Sequence, residues 1–502
     1  MIEIYDTTLR DGAQTPDVSL KLDDKLRILE FFEKTRIVHC VEGGFPASNP
    51  TDKRFFEEAK KLKLNNVKVF AFGKTAKNKE ELSALVEAPT DYVTIVGKSW
   101  DRHVIEDLGI SLEENLKLIE NSVSYLKKYK KRVIFDAEHF FEGFDSNCDY
   151  TLEVLLAAYR AGANTLVLCD TNGGALCVGN DVRIIDSWLR RRKVDARLGV
   201  HMHNDRGLAL ANTIAAVENG ATHVQGTING LGERCGNADL CQIIPILGTK
   251  AKAELCNASM LVDEITNITD PRRPITGKYA FAHKGGIHIG AVLKNPELYE
   301  YANPEQFGNR RRILLSDQSG LAAVNYFLKQ YNYSVDKEQA KSVLNILKEK
   351  EAEGYQYEGA EASFIVLMQK NIFGYKSLFE LVEGKINSVI SDANGTTSEA
   401  VLEMIVDSRK MVEADRGKGP VDAMYRAFMK CIGEKIKEKP VIKDYKVRDM
   451  TPQKGSAAKV RVVIELDNKK ESWSAVGVSD NIIKASWLAL RDGIDYLMIK
   501  GI

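Results

Sequence analysis

The chain has 502 residues, 44% of them hydrophobic, and its 70 Lys and Arg are balanced by 70 Asp and Glu. That length is enough for two or three domains with a large core, and the zero net charge gives no support for a nucleic-acid or polyanion partner. No stretch approaches the ~18 uninterrupted apolar residues of a membrane span. The start, "MIEIYDTTLRDG", lacks the basic and apolar regions of a secretory signal. Eight scattered cysteines without a CxxC read as the reduced thiols of a cytosolic protein.

Short β-branched runs pace the first half: "IEIYD", "IVHCVEGG", "VKVFAFG", "DYVTIVG", "RVIFDAE", "TLVLCD", "LGVHMHN" and "THVQGTI". Amphipathic stretches such as "LKLDDKLRILEFFEKT" and "SLEENLKLIENSVSYLKKY" separate them. The runs are mostly apolar and not alternating, as expected of parallel strands buried on both faces. Eight β/α units in about 250 residues make a TIM barrel. A doubly wound open sheet would want a glycine-rich phosphate turn after its first strand, and "DTTLRDG" is not one.

The expected fold class is therefore α/β, a TIM (β/α)8 barrel over residues 1–255. Beyond it, "DPRRPITGKYAFAHKGGIH" and "PEQFGNRRRILLSDQSG" are loop-like and "VDKEQAKSVLNILKEKEAEG" is a charged helix. These form a mostly helical linker and flap region over 256–358. From 359 to 502 a C-terminal α+β domain is expected. Its strand-like runs are "EASFIVLMQKN", "EAVLEMIVDS", "YKVRDM", "AAKVRVVIELD" and "ESWSAVGVS", and its helices are "GPVDAMYRAFMKCIGEK" and "DNIIKASWLALRDGIDYLMIK". The order strands-helix-strands-helix is a weak internal duplication, with glycine turns at 417–419 and 477 opening the two helices.

On a TIM barrel the chemistry sits past the C-terminal ends of the strands. Asp6, Arg10, Asp11 and Gln14 follow the first run, Glu138 ends the fifth, and Asp170 and Thr171 end the sixth. His201 and His203 end the seventh on the same strand face, and "NGLGERCGNADL" with Glu233, Arg234 and Asn237 follows the eighth. Two histidines and a carboxylate form a three-point site for Mn²⁺, Mg²⁺, Co²⁺ or Zn²⁺. The alternative is two strand-end histidines satisfied by hydrogen bonds. Arg10 beside such a site suits a carboxylate or a developing enolate oxygen. "FAHKGGIHIGAVLKN" adds His283 and His288 from outside the barrel, either as ordinary loop histidines or as a lid bringing an acid or base to the mouth.

Together, "DTTLRDGAQ", "HMHND" and "NGLGERCGNADL" resemble the signatures of the acyl-CoA-dependent condensing enzymes of the isopropylmalate/homocitrate/citramalate synthase family. "IFDAEHFFEGF", "VLCDTNGG" and "FAHKGGIHIGAVLKNPELYE" look most like its bacterial citramalate branch. The resemblance implies condensation of acetyl-CoA with pyruvate and water to citramalate and CoA, feeding isoleucine biosynthesis. It also implies a homodimer whose C-terminal domain takes isoleucine as feedback effector.

The family pattern puts Asp11, His201, His203 and Asn237 at metal positions. Arg10 falls on the keto-acid oxygen, Glu138 and Thr171 on the substrate pocket with Gln14 beside them, and His288 and Tyr299 on flap positions with a catalytic role. "TPDVSL" stands where "EGISFS" is usual, Met202 and Arg206 where smaller residues are usual, and Gly290 where an acid is frequent. The rival readings are a 2-isopropylmalate synthase using 2-ketoisovalerate, a lyase of the same barrel family, and a non-catalytic amino-acid sensor.

Overall fold

Each apolar run of the first half forms a parallel strand. The strands are β1 (Glu3–Asp6), β2 (Cys40–Gly44), β3 (Lys68–Lys74), β4 (Tyr92–Lys98), β5 (Arg132–Glu138), β6 (Thr165–Asp170), β7 (Arg197–Met202) and β8 (His223–Gly226). They close in sequence order into a barrel, with β8 returning to pair with β1. The computed structural model describes residues 2–248, 252–316, 318–331, 333–392, 395–436, 438–450 and 458–501.

Strand residues alternate between two cores, as a period of two requires. Ile4, Val41 and Val133 face the helix layer and belong to the large outer core. Tyr5, Cys40, Phe70, Ile134 and Val167 form a separate inner cluster, in which the Tyr5 and Phe70 rings meet edge-on at 5.1 Å. Local signals set the helix starts. Ser111 and Glu114 form a capping box at Leu112–Lys128, and Asn49 caps Pro50–Ala59 by accepting from the Asp52 amide.

The chain divides into two compact units, Met1–Phe281 with Ala302–Arg311, and Ala282–Tyr301 with Arg312–Ile502. In the second, β9 (Ala282–His283) and β10 (Arg312–Ile313) pair in parallel. Helices Gly286–Val292, Leu321–Gln330 and Lys337–Ala352 lie among the elements that follow. An antiparallel sheet of β11 (Phe379–Ser391), β12 (Gly395–Val406) and β13 (Arg409–Gly417) precedes helix Pro420–Ile432. A second antiparallel sheet of β14 (Val441–Asp449), β15 (Val460–Asp467) and β16 (Ser472–Ser479) precedes helix Ile482–Lys500. The internal duplication is thus two three-stranded sheets, each followed by one helix.

Two expectations are corrected here. "EASFIVLMQKN" is not a strand but the helix Glu361–Ile372. Ala362, Ile365 and Val366 enter one hydrophobic core, while Phe364 and Met368 enter another. A helix buried on both sides loses the 3.6-residue alternation that would have marked it. Gly477 opens no helix but lies inside β16, where a Cβ would come 2.0 Å from the Ala485 carbonyl oxygen. Its missing side chain lets helix Ile482–Lys500 close on the sheet. Strands β11 and β13 have no counterpart among the expected runs, because their residues are largely exposed.

Among the described residues no disulfide joins any of the eight cysteines, and no helix is long and apolar enough to cross a membrane.

A buried ion pair in the barrel ties two of its helices to a strand end. Lys25, 4% exposed, sits 2.5 Å from Asp52 Oδ1 and donates to the Gly43 carbonyl at the end of β2. Asp52 Oδ2 accepts from the Phe45 amide. Lys25→Met leaves Asp52 buried without its cation. We expect it to cost about 3–5 kcal/mol, read as a lowered urea midpoint for unfolding of the barrel unit.

Candidate active site

The loop after β1 is stitched across the closing seam of the barrel. Thr7 donates its amide to the Gly226 carbonyl. Ile228 donates to Thr8 Oγ1, which in turn donates to Asp6 Oδ2 at 2.7 Å. This brings Arg10 and Asp11 over the barrel mouth. Arg10 lies between two carboxylates, with its Nε 2.5 Å from Glu42 Oε2 and its Nη1 2.5 Å from Asp11 Oδ1. Its guanidinium stacks 4.0 Å from the centre of the Phe72 ring.

The other Asp11 oxygen, Oδ2, is 3.2 Å from His201 Nε2 and makes no hydrogen bond. His201 Nε2 and His203 Nε2 are 3.4 Å apart. One ligand atom each from Asp11, His201 and His203 falls within 4.8 Å of the others, and all three residues are buried. Asn237 is held beside His203 by an isolated β-bridge. Its Nδ2 donates to the Leu231 carbonyl, which leaves a buried Oδ1 without a partner. The loop that carries it needs a glycine at 236, where φ is +83° and a Cβ would come 1.9 Å from the Gly230 oxygen.

Buried polar atoms in native proteins are normally paired. The unpartnered Asp11 Oδ2 and Asn237 Oδ1, gathered beside two imidazoles, fit a divalent cation. The alternative of two histidines satisfied by hydrogen bonds fails at His203, whose Nδ1 is also buried and unpartnered.

Arg10, Asp11, His201 and His203 line a cavity of about 250 Å³ together with Gln14, Phe72, Val96, Asp136, Glu138, Cys169, Thr171 and Arg234. The structure thus brings together Arg10, Asp11, Gln14, Glu138, Thr171, His201 and His203, with Asn237 adjoining. His288 and Tyr299 lie in the second compact unit, their rings 4.3 Å apart, and both are exposed. His283 is no free loop histidine, because its Nε2 lies 2.9 Å from Glu300 Oε1.

The rim contains residues that the sequence reading passed over. Lys98, at the end of β4, places its Nζ 2.8 Å from Glu138 Oε2 and 3.2 Å from Asp107 Oδ2. Glu42 and Asp136 stand inside apolar strands, and both are fully buried. A charged residue in the middle of a parallel strand was the available signal, since burial of a charge demands a partner or a task.

Electrostatics follow from this crowding. Burial opposes the charge of Asp11, but Arg10 and the His201 imidazole hold its carboxyl well below the usual range. Burial pushes Glu42 upward against the pull of Arg10, and burial with the charge of Glu42 raises Asp136 to about 7. Burial, then the neighbouring His201, lowers His203 to about 3.

Matches to known families cover almost the whole length. The HMGL-like family matches residues 1–270, a homocitrate synthase post-HMGL domain-like family 275–354, and the LeuA allosteric (dimerisation) domain 358–498. The chain is 44% identical to the (R)-citramalate synthase of Aquifex aeolicus, across 99% of this chain and 98% of that one. The chain belongs to the citramalate synthase family. A second member, the (R)-citramalate synthase of Geobacter sulfurreducens, is 42% identical across 100% and 98% of the two chains. A probable 2-isopropylmalate synthase of Archaeoglobus fulgidus is more distant, at 31% across 99% and 97%.

In this citramalate synthase family member, Asp6 offers a test of the buried electrostatics. It is fully buried and raised to about 7, chiefly by burial and against the hydrogen bonds from Thr8. The folded state therefore holds the Asp6 proton over a pH window in which the unfolded chain, with an ordinary carboxyl, has released it. Stability from this group is present at low pH and is lost as pH rises through about 7. Asp6→Asn carries no such penalty. We expect it to gain on wild type from about pH 4 to about pH 7 in urea midpoints and to keep that gain above; a difference constant with pH would show that Asp6 titrates as an ordinary carboxyl.

Proposed function

We propose that the chain condenses acetyl-CoA with pyruvate and water to give citramalate and CoA, in the cytoplasm, as a homodimer. The observation that carries this reading is the convergence of unpartnered ligand atoms beside the half-buried Arg10, in a small cavity. At about 250 Å³ the cavity lies below the usual ~300–1,000 Å³ of pockets for drug-sized ligands, which suits a three-carbon keto acid. The full-length identity to (R)-citramalate synthases supports it further.

Asp11, His201, His203 and Asn237 would hold the divalent cation, Mn²⁺ or Mg²⁺ by choice, with Co²⁺ or Zn²⁺ as substitutes. When bound, such an ion supplies Lewis-acid polarisation of a carbonyl oxygen. Arg10 faces the same space and offers a fixed positive charge to the pyruvate oxygens and to the alkoxide that replaces the ketone. Thr171 and Gln14 bind substrate. Glu138, held by Lys98, orients pyruvate or the water.

The His288 and Tyr299 pair takes the proton from the acetyl methyl. The carbanion equivalent forms the new bond to the keto carbon, the resulting alkoxide is protonated, and water then cleaves the thioester to release CoA as the thiol. The division of labour is a barrel over 1–255, a linker and flap over 256–358, and a regulatory and dimerising domain over 359–502 that takes isoleucine as its effector.

Asp11→Asn removes the carboxylate charge and His203→Ala removes an imidazole ligand, neither touching the outer core. Both are expected to abolish CoA release and to weaken divalent-metal binding after chelator treatment; near-normal activity after metal is restored would remove these residues from the site. The experiment for the reaction itself is a free-thiol assay of CoA release against a panel of 2-keto acids. Pyruvate should give the highest kcat/KM, above 2-ketobutyrate and far above 2-ketoisovalerate, and isoleucine added to the same assay should inhibit the full-length enzyme. A preference for 2-ketoisovalerate would move the chain to the isopropylmalate branch.

A further inference from the structure

Behind the candidate metal ligands lies a line of polar side chains running down the barrel interior, and of these only Asp136 reaches the cavity lining. Gln225 of β8 is at its centre and is wholly buried, as is His223 two residues earlier on the same strand face. Gln225 Oε1 lies 2.8 Å from His201 Nδ1, and its Nε2 lies 3.1 Å from Asp136 Oδ1 and 3.4 Å from His223 Nε2. His223 Nδ1 is 3.0 Å from Glu3 Oε2, which also meets Arg197 at 2.6 Å. Burial opposes the Glu3 charge, but His223 and Arg197 bring its carboxyl down to about 2.

Hydrogen-bond bookkeeping settles the direction of every link. An ionised Glu3 can only accept, so His223 carries its proton on Nδ1 and presents a bare Nε2. Gln225 Nε2 donates one amide hydrogen to Asp136 Oδ1, and the bare His223 Nε2 takes the other. The amide oxygen can then only accept. His201 must therefore carry a proton on Nδ1, and in the neutral ring the lone pair is on Nε2, the nitrogen that lies 3.2 Å from Asp11 Oδ2. The opposite tautomer would set two acceptors face to face at 2.8 Å in a dry interior.

We infer that Gln225 is a positioning residue for the metal site. Anchored by Asp136 and His223, it fixes the tautomer and ring orientation of His201, so that Nε2 is ready to bind the ion. This rests on the reading that Asp11, His201 and His203 hold a divalent cation. Groups of this kind behind a metal-bound histidine commonly govern affinity. Gln225 needs no contact with substrate, and its effect passes through His201.

The test is calorimetric titration of metal-stripped full-length protein with Mn²⁺, for wild type, Gln225→Leu, Gln225→Glu and His203→Ala. Nitrogen-15 spectra of wild type labelled at its eight histidines accompany it. Gln225→Leu should bind Mn²⁺ about 10–100-fold more weakly. Gln225→Glu, which keeps an acceptor opposite His201 Nδ1 and as the neutral acid can still donate to Asp136, should recover most of that loss. The wild-type spectra should show the neutral His201 ring protonated on Nδ1.

Wild-type affinity in Gln225→Leu overturns the positioning role while leaving the metal site standing. Absence of Mn²⁺ binding by wild type, or full binding by His203→Ala, overturns the metal reading and the inference with it. Should Gln225→Leu fail to fold, the wild-type spectrum decides, because a neutral His201 protonated on Nε2 contradicts the relay outright.

Discussion

Arg10 is a cation enclosed by the protein, and the barrel mouth is organised by the need to keep it paired. One face of its guanidinium lies on Phe72, and its edge is shared between Glu42 and Asp11. Removing a charge from water is costly unless good geometry and further hydrogen bonds compensate. Here the compensation has a direction. One Asp11 oxygen is spent on Arg10, so the carboxylate stays ionised and its second oxygen is left turned toward the imidazoles. Glu42 is fixed in turn by the Tyr5 hydroxyl, which also bonds Thr94. The charge at the rim is thereby braced by strands β1, β2 and β4 at once.

This arrangement explains why acids deeper in the barrel are raised while Asp11 is lowered. Glu42 and Asp136 share one dry interior with a single arginine close by, and each carries the burial penalty. The inner apolar cluster of Tyr5, Cys40 and Phe70 lies below them on the same inward faces. The polar layer is buried, and the low dielectric around it strengthens the interactions within it.

The barrel was legible because its strands are buried on both faces and stand out as apolar runs, and because rim residues follow those runs in sequence. Arg10, Asp11, His201 and His203 could be grouped from spacing alone, given the fold. Lys98, Glu42, Asp136 and Gln225 could not. Each belongs to a strand whose neighbours are apolar, and its partner is on a different strand, so only closure of the barrel creates the contact. In the C-terminal domain, legibility failed in two opposite ways. Helix Glu361–Ile372 was hidden by too much burial, while β11 and β13 were hidden by too little, with charged residues scattered along exposed faces.

That helix has a mechanical consequence. Its residues Ala362, Ile365 and Val366 pack in the core between the two sheets, and Phe364 and Met368 pack in the core that also receives Ile289 and Val292 from helix Gly286–Val292. It behaves as an axle gripped by two bearings. A close-packed interior yields in discrete steps and resists smooth deformation, so a turn of the axle that relieves one bearing jams the other. The sheets and the short helix that carries His288 are therefore linked through one helix, and any repacking of the first core bears directly on the second.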